Sequence, residues 1–321
     1  MKILIIRFSS IGDIVLTTPV FRALKQQLQA EVHFLTKKKY APILSANPNI
    51  DRTLILDDNF YEMVRQIKKE QFDVIIDLHN NLRTKLLQIA LRRKFRSFFK
   101  ANIEKWLIVN MKMDRLPKEH IVDRYLKTVK YLGVNNDQKG LDFYYKNEPG
   151  LLSKWKIEGP YIVFAIGAAH LTKQIPETLL CRIIEQIDTK IILIGGQDVA
   201  ELGKKLGEQY THTFNLCGEL NLEQSAQIVD NSVCLISGDT GMMHIGAALK
   251  KQMISIWGST IPAFGMYPYY GKEDIKHKII QREVSCRPCS KTGHSVCPKG
   301  HFNCMMKIKA EDIISAINEI K

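Results

Sequence analysis

Apolar residues in the first half of the chain occur in short runs separated by stretches with helical periodicity. The runs cover residues 2–8, 30–36, 51–57 and 72–78, and an amphipathic segment, 60–71, precedes the last of them. Short apolar runs that alternate with helices are typical of strands buried on both faces of a parallel sheet. The first half is therefore predicted to be an α/β domain.

A second alternating series follows residues 146–160, which are rich in proline, glycine and charge and are the best candidate for a linker. The predicted strands are 161–167, 190–196, 232–237 and 252–258, and the predicted helices are 176–187, 222–231 and 241–251. We therefore expect two Rossmann-like domains, at 1–153 and 154–305. Isoleucines at helical spacing predict a C-terminal helix within 306–321, whose apolar face is free to pack back on the N-terminal domain.

One proline leaves the first helix open between two structures. Pro19 follows two threonines. It lies either in the first turn of a helix capped by Thr18 or at a kink in a longer helix that starts near Asp13. The local sequence favours neither structure.

The composition is that of a globular protein with a core in each half. The chain has 321 residues, of which 45% are hydrophobic and 25% charged, and this length suggests about two domains. Apolar runs stay well short of the ~18 residues that a membrane-spanning helix needs. Near the N-terminus, only residues 3–6 form an uninterrupted apolar run, between Lys2 and Arg7. This is shorter than the roughly 7–15 apolar residues of a signal peptide, so we expect a cytoplasmic protein.

The net charge of +13 is concentrated in one stretch. Residues 83–130 contain 14 Lys or Arg and 4 Asp or Glu, a net charge of +10. Such a stretch attracts a nucleic acid, an anionic membrane or an anionic substrate, unless it is simply a solvated helical surface. Phe95, Phe98, Phe99 and Trp106 lie among these charges, and aromatic groups beside Lys and Arg suit a membrane interface.

The sequence SGDTG ends a predicted strand and opens a predicted helix, the usual ligand position in an open α/β sheet. Gly238 and Gly241 permit close approach of the backbone, and Asp239 or Thr240 can cap the helix. The free N–H groups of the first turn would then form an anion site, with His244 one turn along. An ordinary capped turn with a packed histidine is the alternative.

The sequence SSIGD occupies the same position after the first predicted strand. It has one glycine, Gly12, and so lacks the G-x-G-x-x-G pattern of dinucleotide-binding proteins. Asp13 has two interpretations that the local sequence leaves open. It either caps the helix or serves as a general base at the site.

Four segments of the chain together resemble glycosyltransferase family 9, the heptosyltransferases of lipopolysaccharide inner-core assembly. They are MKILIIRFSSIGDIVLTTPVFRALK at the N-terminus, FDVIIDLHNNLRT at 72–84, LISGDTGMMHIGAAL at 235–249 and CRPCSKTGHSVCPKGHFNCMMKI near the C-terminus. Their order and spacing extend the resemblance over the whole chain.

The resemblance implies a GT-B fold, with two Rossmann-like domains facing across a cleft. The N-terminal domain of such enzymes binds the acceptor, and the C-terminal domain binds the nucleotide sugar, typically ADP-L-glycero-β-D-manno-heptose. Transfer inverts the anomeric centre and needs neither a metal nor a cofactor. The implied acceptor is an anionic glycolipid of the lipid A–Kdo type. We therefore expect a peripheral enzyme at the inner face of the cytoplasmic membrane, without a nucleic acid partner.

The resemblance also assigns roles to residues of this chain. Asp13 is the expected base. Ser10 and Gly12, beside it in the same turn, and Arg83, in the basic stretch, are our own expected acceptor contacts. The expected donor contacts are Lys173, Asp239, Thr240, Gly241 and His244, with Glu201 as a candidate for the ribose. The chain departs from the family pattern at Ala168, Ala169 and Ile175, which leaves the identity of the sugar open.

Four clustered cysteines, Cys286, Cys289, Cys297 and Cys304, add a structural zinc hypothesis. Their first pair has zinc-knuckle spacing, and His294 and His301 are alternative ligands; the other interpretation is a loop of free thiols. The cluster and the basic stretch also suggest a zinc-containing nucleic-acid-binding protein. A nucleotide-dependent oxidoreductase on a Rossmann-like fold is a third hypothesis, which the missing glycine pattern disfavours.

Overall fold

A computed structural model describes residues 1–56 and 58–320. The chain forms two compact units. The first comprises Met1–Ala101, Glu119–Tyr144 and Gly271–Glu273, and the second comprises Asn102–Lys118, Tyr145–Tyr270 and the chain from Asp274 onward. These bounds differ from the expected division after residue 153, chiefly because Asn102–Lys118 belongs to the second unit.

Each unit is built on one parallel sheet. The strands of the first sheet are β1 (Lys2–Ile6), β2 (Glu31–Thr36), β3 (Arg52–Ile55), β4 (Val74–Asp77) and β5 (Arg96–Ser97), in the order β3-β2-β1-β4-β5. Those of the second are β6 (Tyr161–Ala165), β7 (Lys190–Ile194), β8 (Thr213–Asn215), β9 (Leu235–Gly238), β10 (Met253–Trp257) and β11 (His277–Gln281), in the order β11-β10-β9-β6-β7-β8. The predicted run 51–57 ends at Asp57, which lies outside the described residues.

The α-helices lie between and beside these strands. In chain order they are α1 (Ile11–Val15), α2 (Thr18–Leu28), α3 (Phe60–Lys69), α4 (Leu82–Leu91), α5 (Asn102–Met111), α6 (Ile121–Leu126), α7 (Glu177–Ile184), α8 (Ala200–Gln209), α9 (Leu222–Asp230), α10 (Gly241–Ala248), α11 (Asn303–Met306) and α12 (Ala310–Ile320). The apolar runs of β1, β6, β9 and β10 are buried, as expected for strands covered on both faces.

Pro19 proves to be a first-turn residue. The chain forms the short helix α1 and then begins α2 at Thr18, so Pro19 lies where its missing N–H costs no helical hydrogen bond. The cap position falls on Thr17 and not on Thr18. The hydroxyl of Thr17 donates to the carbonyl of Ile14 at 2.6 Å, which holds the two helices together.

The C-terminal helix belongs to the second unit. Ile313, Ile317 and Ile320 of α12 are buried in the same apolar cluster as Leu180 and Ile184 of α7. The apolar face that could have packed back on the N-terminal domain is therefore covered within the second unit. Lys321, the last residue of the predicted segment, lies outside the described residues.

Both sheets have a point where the direction of winding reverses. In the first sheet β2 and β3 lie on one side of β1 and β4 lies on the other, so the reversal falls between β1 and β4. In the second sheet it falls between β6 and β9. Open α/β sheets bind ligands outside the carboxyl ends of the strands at such points. The two turns identified in the sequence follow β1 and β9, one strand of each pair.

In the part of the chain that the structure describes, no helix has both the length and the apolar composition needed to cross a membrane.

Candidate functional site

The turn after β1 holds a carboxylate bonded through both of its oxygens. The guanidinium Nη2 of Arg7 lies 2.7 Å from Oδ1 of Asp13. The hydroxyl and the amide of Ser10 donate to Oδ2 of Asp13 at 2.9 and 3.2 Å. Burial alone would raise the pKa of Asp13, but the charge of Arg7 and the Ser10 hydrogen bonds lower it below its usual range. Asp13 is therefore an ionised carboxylate, and its side chain is 21% exposed.

Arg7 is itself fixed by the neighbouring strand and helix. Its Nη1 donates to the carbonyl of Leu78 at 2.6 Å and to the hydroxyl of Tyr125 at 3.1 Å. Its Nε donates to the carbonyl of Ser9 at 2.7 Å. This rigid, buried guanidinium sets the position of Asp13 at the reversal point of the first sheet.

The end of β4 faces the same point. The Oδ1 of Asp77 accepts hydrogen bonds from the amides of His79 and Asn80, at 2.9 and 2.7 Å. The ring of His79 packs 4.8 Å from that of Phe8. Burial, followed by the charges of Arg7 and Lys100, lowers the pKa of His79 to about 3, so this imidazole is neutral at physiological pH.

The expected acceptor residues are spread over two turns of this unit. Ser10 and Gly12 lie in the turn that holds Asp13, and Gly12 is buried there. Arg83 lies in the first turn of α4, with its guanidinium 4.0 Å from the carboxylate of Asp58. The structure thus places Ser10 against Asp13. It places Arg83 after β4, the strand beside β1 in the sheet.

The second unit contains an ion pair at its own reversal point. The Nζ of Lys173 lies 2.7 Å from Oδ2 of Asp239, and both side chains are largely buried, at 17% and 10% exposed. The hydroxyl of Thr260 donates to the same oxygen at 2.7 Å. The three residues follow β6, β9 and β10, which are adjacent in the sheet. Strand order therefore brings together residues that are far apart in sequence.

Gly238 is required for this arrangement. A Cβ at this position would meet the carbonyl oxygen of Lys173 at 2.5 Å. Because that oxygen is a backbone atom, the contact could be relieved only by shifting the main chain. The glycine lets the loop that carries Lys173 lie against the end of β9. The close backbone approach expected at Gly238 is therefore to the carbonyl of Lys173.

The remaining expected donor residues surround the start of α10. Thr240 precedes the helix, with its hydroxyl 3.1 Å from that of Ser237, and Gly241 is the first helical residue. His244 is only 2% exposed, which agrees with the packed-histidine interpretation, so its contact with a phosphate stays a prediction. Glu201 is exposed in the first turn of α8, after β7, and is not part of the Lys173–Asp239 pair.

The cysteine-bearing segment, residues 286–304, supports the loops on either side of the ion pair. The amide of His294 donates to the hydroxyl of Thr172 at 2.8 Å, and Thr172 also accepts from the hydroxyl of Ser259 at 2.9 Å. The amide of Cys289 donates to the carbonyl of Ser259 at 3.0 Å. Thr172 and Ser259 each precede a residue that contacts Asp239, so this segment helps to position the pair.

The arrangement of the cysteines does not fit the zinc hypothesis. Within 1–56 and 58–320, no three His, Cys, Asp or Glu side chains are grouped closely enough to hold a metal ion. The thiol of Cys289 points to the carbonyl of Cys286, at 3.3 Å.

Sequence reasoning missed Arg7, Thr172 and Thr260. Thr260 ends the stretch WGST and follows a predicted strand. A hydroxyl at the carboxyl end of a strand is a sequence signal for a site residue. Arg7 lies within the predicted strand run 2–8, although a cation two residues before SSIGD is a local signal for a carboxylate partner. Thr172 has no such signal, because its contacts come from residues 259 and 294.

Comparisons with known proteins agree with this architecture. A family model described as Glycosyltransferase family 9 (heptosyltransferase) matches residues 60–299. Lipopolysaccharide heptosyltransferase 1 of Campylobacter coli is 25% identical, with 100% of this chain and 99% of that protein covered. Lipooligosaccharide heptosyltransferase 2 of Haemophilus influenzae is 23% identical, with the same coverage of 100% and 99%.

Solved structures show the same fold over the whole chain. A glycosyl transferase family 9 protein from Veillonella parvula has a TM-score of 0.80 at 21% identity, covering 99% of this chain and 96% of that one. The ADP-heptose lps heptosyltransferase II of E. coli has a TM-score of 0.74 at 18% identity, covering 100% and 98%. The predicted fold class, two Rossmann-like parallel-sheet domains of the GT-B type, is thereby confirmed.

These findings decide among the three classes of protein that the sequence left open. They confirm the predicted resemblance. The family model spans well over half of the chain. The chain therefore belongs to glycosyltransferase family 9, the heptosyltransferase family, and is a glycosyltransferase.

Proposed function

We propose that this enzyme transfers heptose from an ADP-heptose donor to an anionic glycolipid of the lipopolysaccharide inner core, with inversion at the anomeric carbon. The Lys173–Asp239 pair at the reversal point of the second sheet is the observation that carries the proposal. Relatives named as lipopolysaccharide heptosyltransferases match the chain from end to end, which supports the donor and acceptor classes.

The donor half of the proposal rests on the second unit. An E. coli heptosyltransferase solved with ADP is similar to this chain over its whole length, with a TM-score of 0.67. The N–H groups at the start of α10 and the ammonium of Lys173 supply positive charge where a diphosphate would lie. Asp239 holds that ammonium in place, while Thr240, Gly241, His244 and Glu201 remain proposed donor contacts.

The acceptor half rests on the first unit. Asp13 is ionised and partly exposed, as a proton acceptor must be. Its low pKa makes it a weak base as long as Arg7 and Ser10 hold both oxygens. We therefore expect the acceptor hydroxyl to replace the Ser10 contact on Oδ2, which would raise the basicity of the carboxylate. Gly12 and Arg83 are the further proposed acceptor contacts.

The reaction balances with these groups alone. The acceptor oxygen forms a bond to the anomeric carbon, and the bond from that carbon to the β-phosphate oxygen breaks. The proton of the acceptor hydroxyl passes to Asp13, and ADP leaves with the bonding electron pair. Lys173 and the α10 N–H groups meet the charge that develops on the leaving diphosphate. No cofactor is part of this proposal, and the role often given to a metal falls to Lys173.

The place of action follows from the acceptor class. A lipid-linked acceptor would bring the enzyme to the inner face of the cytoplasmic membrane, as a peripheral protein. The excess of Lys and Arg in residues 83–130 is consistent with an anionic surface as partner.

A ligand panel and a product analysis test the proposal. ADP-heptose should raise the melting temperature most, ADP less, and UDP, GDP, NAD and a DNA duplex not at all. With ADP-heptose and a lipid A–Kdo acceptor, released ADP should equal the heptosyl product, and NMR of the product should show an inverted anomeric centre. A shift with UDP or GDP alone would discard the ADP-heptose donor, and a retained anomeric configuration would discard direct displacement.

A further inference from the structure

Helix α4 has apolar side chains on two opposite faces. Leu87 and Leu91 are buried on one of them, with Thr84 beside them. Leu82, Leu86 and Ile89 are exposed, at 76%, 48% and 72%. At 100° per residue, these three side chains lie within an arc of roughly 60°. A soluble protein rarely leaves such a stripe in water unless something covers it.

The charges within α4 and in the segment that follows it are all positive. Residues 82–100 contain seven Lys or Arg and no Asp or Glu. Lys85, Arg92 and Lys94 are exposed beside the stripe. The carboxylate of Asp58, just before the neighbouring helix α3, lies 4.0 Å from the guanidinium of Arg83. Aliphatic groups flanked by cations suit the headgroup boundary of an anionic bilayer, where the side chains insert and the cations meet lipid phosphates.

We propose that the exposed stripe of α4, formed by Leu82, Leu86 and Ile89, docks this enzyme on an anionic lipid bilayer. This proposal deepens the proposed function by naming the surface that meets the membrane. It rests on the proposed function only in that the lipid-linked acceptor would lie in the same bilayer. A second copy of the chain is a poorer occupant, because a two-fold contact between two stripes would bring the cations beside one stripe, such as Lys85 and Arg92, close to those beside the other. Nucleic acid is poorer too, because aliphatic side chains gain little from a phosphate backbone.

Vesicle binding tests the stripe directly. The full-length protein should co-float with vesicles of phosphatidylethanolamine and phosphatidylglycerol, bind phosphatidylcholine vesicles weakly, and lose affinity as salt rises. The triple variant Leu82→Ser/Leu86→Ser/Ile89→Ser should bind the anionic vesicles about tenfold or more less tightly, because apolar burial is lost. The matched control Ile55→Ser/Met306→Ser also removes two exposed apolar side chains, 38% and 43% exposed, outside the basic stretch. It should bind like the wild type.

Two further measurements separate docking from folding and from catalysis. Circular dichroism melts of the triple variant should match the wild type. Its turnover of ADP-heptose with a deacylated, water-soluble acceptor should be unchanged, while turnover of an acceptor embedded in vesicles should fall with binding. If the proposed function fails, neither acceptor is turned over and vesicle binding still reports on the stripe.

Insertion depth gives an independent readout. The wild-type protein, with its three tryptophans, sets the baseline of quenching by vesicles with brominated acyl chains. Ile89→Trp should increase the quenched signal above that baseline, whereas Met306→Trp should not. Equal vesicle binding by the triple variant and the wild type would overturn the proposal. Binding to neutral vesicles as tight as to anionic ones would overturn it too, as would a wild-type dimer that the triple variant converts to monomers.

Discussion

At the scale of single residues, each unit places one fixed carboxylate at the reversal point of its sheet, and the two carboxylates differ in what they can do. Asp13 is 21% exposed and bonded by Arg7 and Ser10. Asp239 is 10% exposed and bonded by Lys173 and Thr260. The first is open enough to accept a proton, and the second serves to hold a cation. Their substitution should therefore affect different kinetic constants.

We predict that Asp13→Asn lowers kcat by about 10²- to 10⁴-fold, because the proton acceptor is lost. The dissociation constant of ADP-heptose should not change. Because Arg7 lowers the pKa of Asp13, the acidic limb of the kcat/KM profile should lie below about pH 4, the usual carboxyl range. Steady-state kinetics and donor titration measure these effects. Asp73→Asn, which removes a carboxylate bonded to the amide of Lys2, is the control, and near-normal kcat in Asp13→Asn would exclude the base role.

Replacement of Lys173 should act on the donor. We expect Lys173→Ala to raise KM for ADP-heptose about tenfold or more, because a charged hydrogen bond to the diphosphate is lost and Asp239 is left unpaired. Lys173→Arg should recover part of the affinity. Lys204→Ala, at an exposed lysine 3.9 Å from Glu208, is the matched control. An unchanged KM in Lys173→Ala would contradict the assignment.

At the scale of elements, hydrogen bonds between loops position the second-unit pair. Thr172 bonds to Ser259 and to the backbone of His294, and so ties the loop after β6 to the cysteine-bearing segment. We expect Thr172→Val to cost about 1–3 kcal/mol of unfolding free energy, because buried polar groups lose their partner. It should also raise KM for the donor, through displacement of Lys173.

A second variant distinguishes whether the hydroxyl of Thr172 positions Lys173 or the side chain only packs in the loop. Thr172→Ser keeps the hydroxyl and should restore KM even where stability stays lower. Chemical denaturation and donor kinetics on the two variants give the comparison. If Thr172→Val and Thr172→Ser raise KM for the donor equally, the hydroxyl does not position Lys173.

A buried ion network connects α2 to the segment after α6 that contains Asp137 and Asp142. The guanidinium of Arg22, 3% exposed, lies 2.7 Å from the carboxylate of Asp137 and 2.5 Å from that of Asp142. We expect Arg22→Ala to cost about 3–5 kcal/mol, because two carboxylates are left near a buried, uncharged position. Lys127→Ala, which breaks an exposed pair with Glu119, should cost less than about 1 kcal/mol.

The same network predicts how stability depends on pH. Burial acts to raise the pKa of Asp137, but the hydrogen bond and charge of Arg22 lower it below its usual value. A carboxyl group with a lowered folded-state pKa stabilises the fold above about pH 3.9 and loses that contribution as the pH falls further. Urea denaturation from pH 6 to pH 3 should show this loss in the wild type. The same decline in Arg22→Ala would assign it to other groups.

At the scale of the whole molecule, the chain is two units with separate cores, and the proposed donor residues all lie in one of them. We predict two transitions on thermal unfolding, of which ADP shifts only one, by about 2.7 kcal/mol at a ligand concentration 100 times its dissociation constant. Differential scanning calorimetry with and without ADP measures both. A single transition, or two that shift together, would mean that the units unfold as one.

The sequence by itself determined the local structure and the positions of the two turns. Strand runs such as 2–8 and 161–167 were recognisable because side chains buried on both faces leave a continuous apolar pattern. The turns SSIGD and SGDTG were recognisable because glycine, an acid and a hydroxyl mark the junction of a strand and a helix. These signals are local, so a single sequence contains them.

Only the tertiary structure decided which of these residues meet. Lys173 pairs with Asp239 because β6 and β9 are neighbours, and strand order is set by crossovers that leave no local signal. Asn102–Lys118 belongs to the second unit because of contacts that are distant in sequence. Lys112 donates to the carbonyls of Cys286 and Pro288, far along the chain. The cysteine spacing suggested zinc, but thiol positions depend on packing around them. Periodicity follows from the nearest neighbours in sequence, whereas a site depends on contacts between residues that are distant in sequence.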